Sequence, residues 1–252
     1  MPFITIGPGP LEYELLDGSS AHSPTLVLLH EGLGSLSMWR DFPRTLGAHT
    51  GARILVYSRH GYGQSAPLTG PRAVPYMHDE AWLILPELLQ RLQISRPVLF
   101  GHSDGGSIAL LHAARYPAQG VIALAPHVFV EDLSIKNIAA AKVAFETTDL
   151  RKRLGRHHFD VDGAFRGWND IWLHPDFRAW NIEPWVSKIT CPVLVIQGQE
   201  DEYGTEEQLQ RIARQAADVE LLHVPRCGHS PQRDQPEVVL ETVRNWLIKH
   251  SR

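Results

Sequence analysis

Six short apolar runs recur along the chain, at Thr25–His30, Ala52–Ser58, Pro97–Ser103, Gly120–Pro126, Cys191–Gly198 and Val219–Pro225. None alternates apolar with polar positions, so each predicts a strand covered on both faces rather than one with a wet side. Between them, apolar residues return at helical spacing over Ser37–His49, Met77–Ile94, Gly106–Pro117, Glu206–Ala217 and Pro236–His250. Strands and helices in alternation predict an α/β domain built on a mostly parallel sheet with helices on both faces. The opening Phe3–Asp17 predicts one or two antiparallel edge strands.

One stretch breaks this rhythm. From Val128 to Val186 no buried strand is evident, and charge mixes with aromatic residues. This predicts a helical cap, residues 128–186, inserted into a core formed by residues 1–127 and 187–252. A cap placed there roofs the carboxyl edge of the strands, where open α/β sheets bind ligands. Phe165, Trp168 and Trp172 fall on one helical stripe of it, beside Trp180 and Phe177. That stripe is expected to line an apolar pocket, which His127 would also face from the end of its strand.

The sharpest local signal is Gly101-His102-Ser103-Asp104-Gly105, between an apolar run and a helical one. It fits G-x-S-x-G, a strand–turn–helix elbow that holds a serine on strained backbone with its Oγ exposed. The alternative is a Gly-rich loop or phosphate-binding turn. A serine hydroxyl is inert at neutral pH and needs a base, which an acid then orients. The elbow sets the order serine, acid, histidine. His229 and Asp201 follow the two last apolar runs and fit that order; Glu200, Glu202, Glu131 and Asp132 are the competing acids. Two backbone N–H groups complete an oxyanion hole, one from Asp104 and one from the Leu28–Trp39 loop, best supplied by Gly32.

The segments LLHEGLGSLSMW, YSRHGYGQSAP, GHSDGGSIALLHAARYP, VLVIQGQEDEYGT and CGHSPQRDQPEVV together resemble the successive signatures of the α/β-hydrolase superfamily. The elbow is similar to that of lid-bearing serine esterases, of the valacyclovir hydrolase-like and meta-cleavage-product hydrolase-like kinds. One departure is Glu31, which stands where the family usually has the glycine of a His-Gly pair. The resemblance implies a Ser103–His229–Asp201 triad and no metal or organic cofactor. In the valacyclovir hydrolase-like enzymes the acid after the nucleophile helps recognise a substrate amino group, and Asp104 stands at that position; relatives with other substrates also carry an acid there, and the other reading of Asp104 is an acid favoured by the helix dipole.

Composition narrows the partners. With 43% hydrophobic and 21% charged residues the 252-residue chain is ordinary globular protein. A net charge of −4 without a basic block argues against nucleic acid. No stretch is long and apolar enough for a bilayer, and the start lacks a signal-peptide pattern. Cys191 and Cys227 sit at opposite ends of neighbouring strands, too far apart to bridge, so reduced thiols and a cytoplasmic setting are expected. His157, His158, Asp160 and Asp162 match no recurring metal-ligand spacing and are read as a polar face of the cap. The chain is thus expected to be a monomeric or homodimeric serine hydrolase of small carboxylic esters. Carbon–carbon hydrolysis of a vinylogous diketone, hydrolysis of a thioester, lactone or amide, and a non-catalytic ligand receptor are the alternatives.

Overall fold

The computed structural model describes residues 2–20 and 22–250. Its eight strands are β1 (Phe3–Ile6), β2 (Gly9–Leu16), β3 (Thr25–Leu29), β4 (Arg53–Tyr57), β5 (Val98–His102), β6 (Gly120–Leu124), β7 (Val193–Gly198) and β8 (Val219–Val224). They form one sheet in the order β1-β2-β4-β3-β5-β6-β7-β8. β1 and β2 are antiparallel edge strands, and every strand from β4 to β8 along the sheet is parallel to its neighbour.

The continuous apolar runs have a direct cause. Successive side chains of a strand point to opposite faces, and here each face has its own core. Leu26 and Leu28 of β3, Val98 and Phe100 of β5, and Leu194 and Ile196 of β7 enter one of them. Val27, Leu29, Leu99, Val193 and Val195 enter the other. Helices α1 (Phe42–Thr50) and α11 (Pro236–His250) cover the first face. The second is covered by α2 (Tyr76–Asp79), α3 (Leu85–Arg91), α4 (Asp104–Ala113) and α9 (Glu207–Gln215). Helix α10 (Pro231–Asp234) precedes α11.

The helix predicted over Met77–Ile94 is interrupted. Between α2 and α3 the chain winds as a π-helical turn, Glu80–Ile84. Pro86 has no N–H to give to the carbonyl of Trp82 four residues earlier, and its ring crowds that carbonyl. The hydroxyl of Tyr116 donates to this carbonyl instead, at 2.9 Å. The pattern over Ser37–His49 likewise splits, into a 3-10 turn at Leu36–Trp39 and α1, with Arg40 at φ +51° between them.

Between β6 and β7 lie α5 (Asp132–Thr147), α6 (Leu150–Leu154), α7 (Val161–Trp172) and α8 (Glu183–Val186). The ends of this excursion are tied together: Ile182 N–H donates to the Val128 carbonyl at 2.8 Å, and Phe129 bridges Asn181. Both cysteines are free, Cys191 before β7 and Cys227 after β8. Among the described residues, no helix is long and apolar enough to cross a membrane.

Candidate active site

Ser103 follows β5 with φ +53° and ψ −118°, a backbone that L residues rarely adopt. The flanking glycines make the turn possible. A Cβ on Gly101 would lie 2.1 Å from the carbonyl oxygen of Gly105, and one on Gly105 would lie 2.0 Å from that of Leu29. Both obstacles are backbone, so neither can move aside. Helix α4 therefore starts directly under the serine and leaves its Oγ at the sheet's carboxyl edge.

Two and three strands over, β7 and β8 deliver their partners to the same edge. His229 Nε2 lies 2.9 Å from Ser103 Oγ, and Nδ1 lies 2.8 Å from Asp201 Oδ1. Asp201 Oδ1 also accepts from the N–H groups of Tyr203 at 2.8 Å and Gly204 at 3.2 Å, while Oδ2 accepts from Gln197 Nε2 at 3.0 Å. Burial disfavours the charge on Asp201, but His229 and the Tyr203 N–H outweigh it and hold the carboxyl below its ordinary range. This also separates Asp201 from its competitors. The Glu202 carboxylate accepts the His229 backbone N–H, Glu131 binds Thr205 and Gln208, and Asp132 pairs with Arg178. Gln197 carries no motif; its signal is an amide inside an otherwise apolar strand.

The cavity beside Ser103 is small, about 120 Å³. Glu31, Gly32, Leu33, Asp104, His127, Ile138, Trp168, Trp172, Tyr203 and His229 line it. Gly32 is close to the α5–α8 segment: a Cβ there would sit 2.2 Å from the Trp168 ring. Trp168 and Trp172 line the cavity; Phe165 is not among the residues that do. One turn earlier on α7, its ring stacks on Phe145 of α5, 3.8 Å between centroids, and is a packing residue of that segment.

Asp104 is bound within the protein. Its carboxylate is fully buried and already engaged: Tyr76 Oη donates to Oδ2 at 2.7 Å and Trp172 Nε1 to Oδ1 at 3.2 Å. The guanidinium of Arg59 stands 3.8 Å away, itself only 1% exposed. Arg59 Nη2 also donates to the carbonyls of His30 at 3.2 Å and Glu31 at 2.8 Å. One buried cation therefore ties the elbow to the loop carrying Gly32. The sequence gives it away only as an arginine abutting the β4 run.

Glu31 faces the cavity from the loop that carries Gly32. Burial opposes its charge, but His102, whose Nδ1 lies 3.5 Å from Oε2, and His30 bring the carboxyl down to about 2. His158 also departs from expectation. It is buried, accepts from Gly63 N–H at 3.0 Å, and lies 3.0 Å from the Leu33 carbonyl, so it braces the loop rather than facing solvent. Among the described residues, no group of acids, histidines and cysteines is arranged to hold a metal ion.

These buried imidazoles carry a pH signature. Burial lowers His112 from 6.5 to about 4 and His127 to about 3, and also depresses His30. The unfolded chain therefore binds more protons as pH falls below about 6.5. Stability is complete above that value and is lost towards the folded pKa values, while the depressed Asp201 and Glu31 act only at lower pH. The melting temperature should fall by about 5 °C or more between pH 7 and pH 5. Scanning calorimetry at the two pH values checks this, and an unchanged melting temperature contradicts it.

Known proteins share this fold. A thermophilic esterase from Thermogutta terrifontis superposes with a TM-score of 0.77 at 20% identity, covering 99% of each chain. The 2-hydroxy-6-oxo-6-phenylhexa-2,4-dienoate hydrolase of Burkholderia cepacia is 23% identical over 97% of this chain and 95% of its own. The sn-1-specific diacylglycerol lipase ABHD11 of Danio rerio is 33% identical over 280 residues, 96% of this chain and 84% of the lipase. These relatives are hydrolases. The profile of the alpha/beta hydrolase family matches residues 26–242, so the chain belongs to that family.

Proposed function

We propose that this hydrolase cleaves small carboxylic esters through an acyl-enzyme on Ser103, beneath a cap formed by residues 128–186. The observation that carries the reading is the unbroken line from Ser103 Oγ through His229 to the Asp201 carboxylate, at 2.9 Å and 2.8 Å. His229 Nε2 takes the Ser103 proton as Oγ bonds to the ester carbon. The carbonyl electron pair moves onto oxygen, which the N–H groups of Asp104 and Gly32 stabilise at the start of α4. The pair returns, the carbon–alkoxy bond breaks, and the alcohol leaves with the proton from His229. Water repeats the sequence on the acyl-enzyme and frees the acid. Asp201 keeps Nδ1 protonated and stabilises the imidazolium.

Cavity size bears on the substrate. About 120 Å³ is far below the roughly 300–1,000 Å³ typical of drug-sized ligands, which favours a short acyl group. The named activity of the Burkholderia cepacia relative keeps carbon–carbon hydrolysis as the second reading. Two free cysteines fit a reducing, cytoplasmic setting. The test is labelling by a fluorophosphonate probe followed by turnover of phenyl esters from acetate to octanoate. Stoichiometric labelling at Ser103, with activity greatest at acetate to butyrate, is expected. An unlabelled serine excludes the reading. Turnover of a ring-fission product with no ester hydrolysis selects the second one.

A further inference from the structure

The turn after β6 is strained. Ala125 has φ +45°, and such strain persists only where the surroundings fix it. Here they do. Ala125 N–H donates to the Ile196 carbonyl at 2.8 Å. Two residues on, Ser107 of α4 clamps the backbone of His127 on both sides. Its Oγ accepts from the His127 N–H at 3.1 Å and donates to the His127 carbonyl at 2.6 Å. His127 is thereby fixed to the helix that begins at the nucleophile elbow.

The side chain so fixed makes little use of its polarity within the protein. Its Nδ1 is buried and has no hydrogen-bond partner. The ring meets Trp172 edge-on at 5.1 Å, lies 5.8 Å from the His229 ring, and forms part of the cavity wall beside Ser103. Burial keeps it neutral, so it offers one N–H donor and one lone pair. The two acids on that wall are engaged elsewhere, Asp104 with Tyr76 and Trp172 and Glu31 with His102. A buried polar atom without a partner is costly, and a ligand that supplies the partner recovers that cost. The complementary group is a neutral oxygen, because the imidazole carries no charge to pair with an ion.

We infer that His127 sets substrate specificity by hydrogen-bonding a neutral hydroxyl or keto oxygen on the acyl group, so that short oxygenated acyl esters are preferred over plain ones. The inference rests on Ser103 being an ester-cleaving nucleophile. In the small cavity that oxygen lies within a few carbons of the scissile carbonyl.

The test compares kcat/KM for phenyl butyrate with the phenyl esters of 2-hydroxy-, 3-hydroxy- and 3-oxobutyrate, each divided by its rate with hydroxide. The wild-type enzyme should favour at least one oxygenated ester by about tenfold or more. In His127→Leu that preference should fall to about one, and His127→Gln should keep part of it, because the amide still offers a donor and an acceptor. Wild-type ratios all within twofold of one overturn the inference even if a variant fails to fold. So does a preference that survives in His127→Leu. Hydrolysis of butyrate without discrimination refutes the role of His127 alone. Absence of turnover on all four esters, with no fluorophosphonate labelling, removes the ester-hydrolase reading as well.

Discussion

Ser103→Ala should lower kcat for a short phenyl ester by about 10⁴-fold or more while leaving the protein folded. The hydroxyl's hydrogen bond is to the ring that would activate it, His229 Nε2 at 2.9 Å, so its removal disturbs no structural network. The strained backbone at φ +53° accommodates alanine as it does serine, since both carry a Cβ. Circular dichroism and the melting temperature should therefore match wild type. His229→Ala should cost a similar factor, and the double variant Ser103→Ala/His229→Ala little more than either, because the two groups act as a unit. Asp201→Asn should cost about 10⁴-fold, because a neutral amide no longer holds the imidazole tautomer or stabilises the imidazolium. Ser103→Ala retaining more than a tenth of wild-type kcat would end the nucleophile assignment.

Much of this arrangement is legible in the chain because burial on two faces leaves an unmistakable mark. Each of the six apolar runs becomes a strand with ends moved by no more than two residues, from Arg53–Tyr57 in place of Ala52–Ser58 to Val193–Gly198 in place of Cys191–Gly198. Parallel strands then force the residues after their carboxyl ends to one edge. That is how Ser103, Asp201 and His229, 126 residues apart at the extremes, can be anticipated as neighbours.

What stays hidden are partnerships between residues far apart in sequence. Four other acids compete with Asp201 on order alone, and the choice lies in the Gln197 amide and the Tyr203 and Gly204 N–H groups, which only the fold brings together. The helical stripe on α7 correctly groups three aromatic residues but cannot say where the cavity ends, so Phe165 falls against Phe145 instead. The partners of Asp104 are equally absent from its local sequence. Only in three dimensions do Tyr76, Trp172 and Arg59 surround it.

Arg59→Met should be the most destabilising substitution outside the hydrophobic core, by about 3–5 kcal/mol. Methionine keeps much of the arginine's apolar volume and removes its charge. Asp104 would then keep only the Tyr76 hydroxyl and the Trp172 indole as donors and lose its one cation, in a place where neither residue of the pair is exposed by more than 1%. Burial opposes the guanidinium's own charge, yet Tyr62, Asp104 and Glu80 raise its pKa, so the cation is held in place by what surrounds it. For a chain of this size the loss corresponds to a melting temperature lower by about 10 °C. The same substitution frees the His30 and Glu31 carbonyls, which position the loop carrying Gly32, so kcat should fall even at a temperature where the variant is fully folded. A double-mutant cycle separates the two effects. Adding Asp104→Asn should recover about 1–3 kcal/mol of stability, because the unpaired charge is gone, but should recover none of the activity, because the loop carbonyls still lack their donor. A melting temperature within about 2 °C of wild type in Arg59→Met, or single-variant effects that simply add, would show that the pair does not support the elbow.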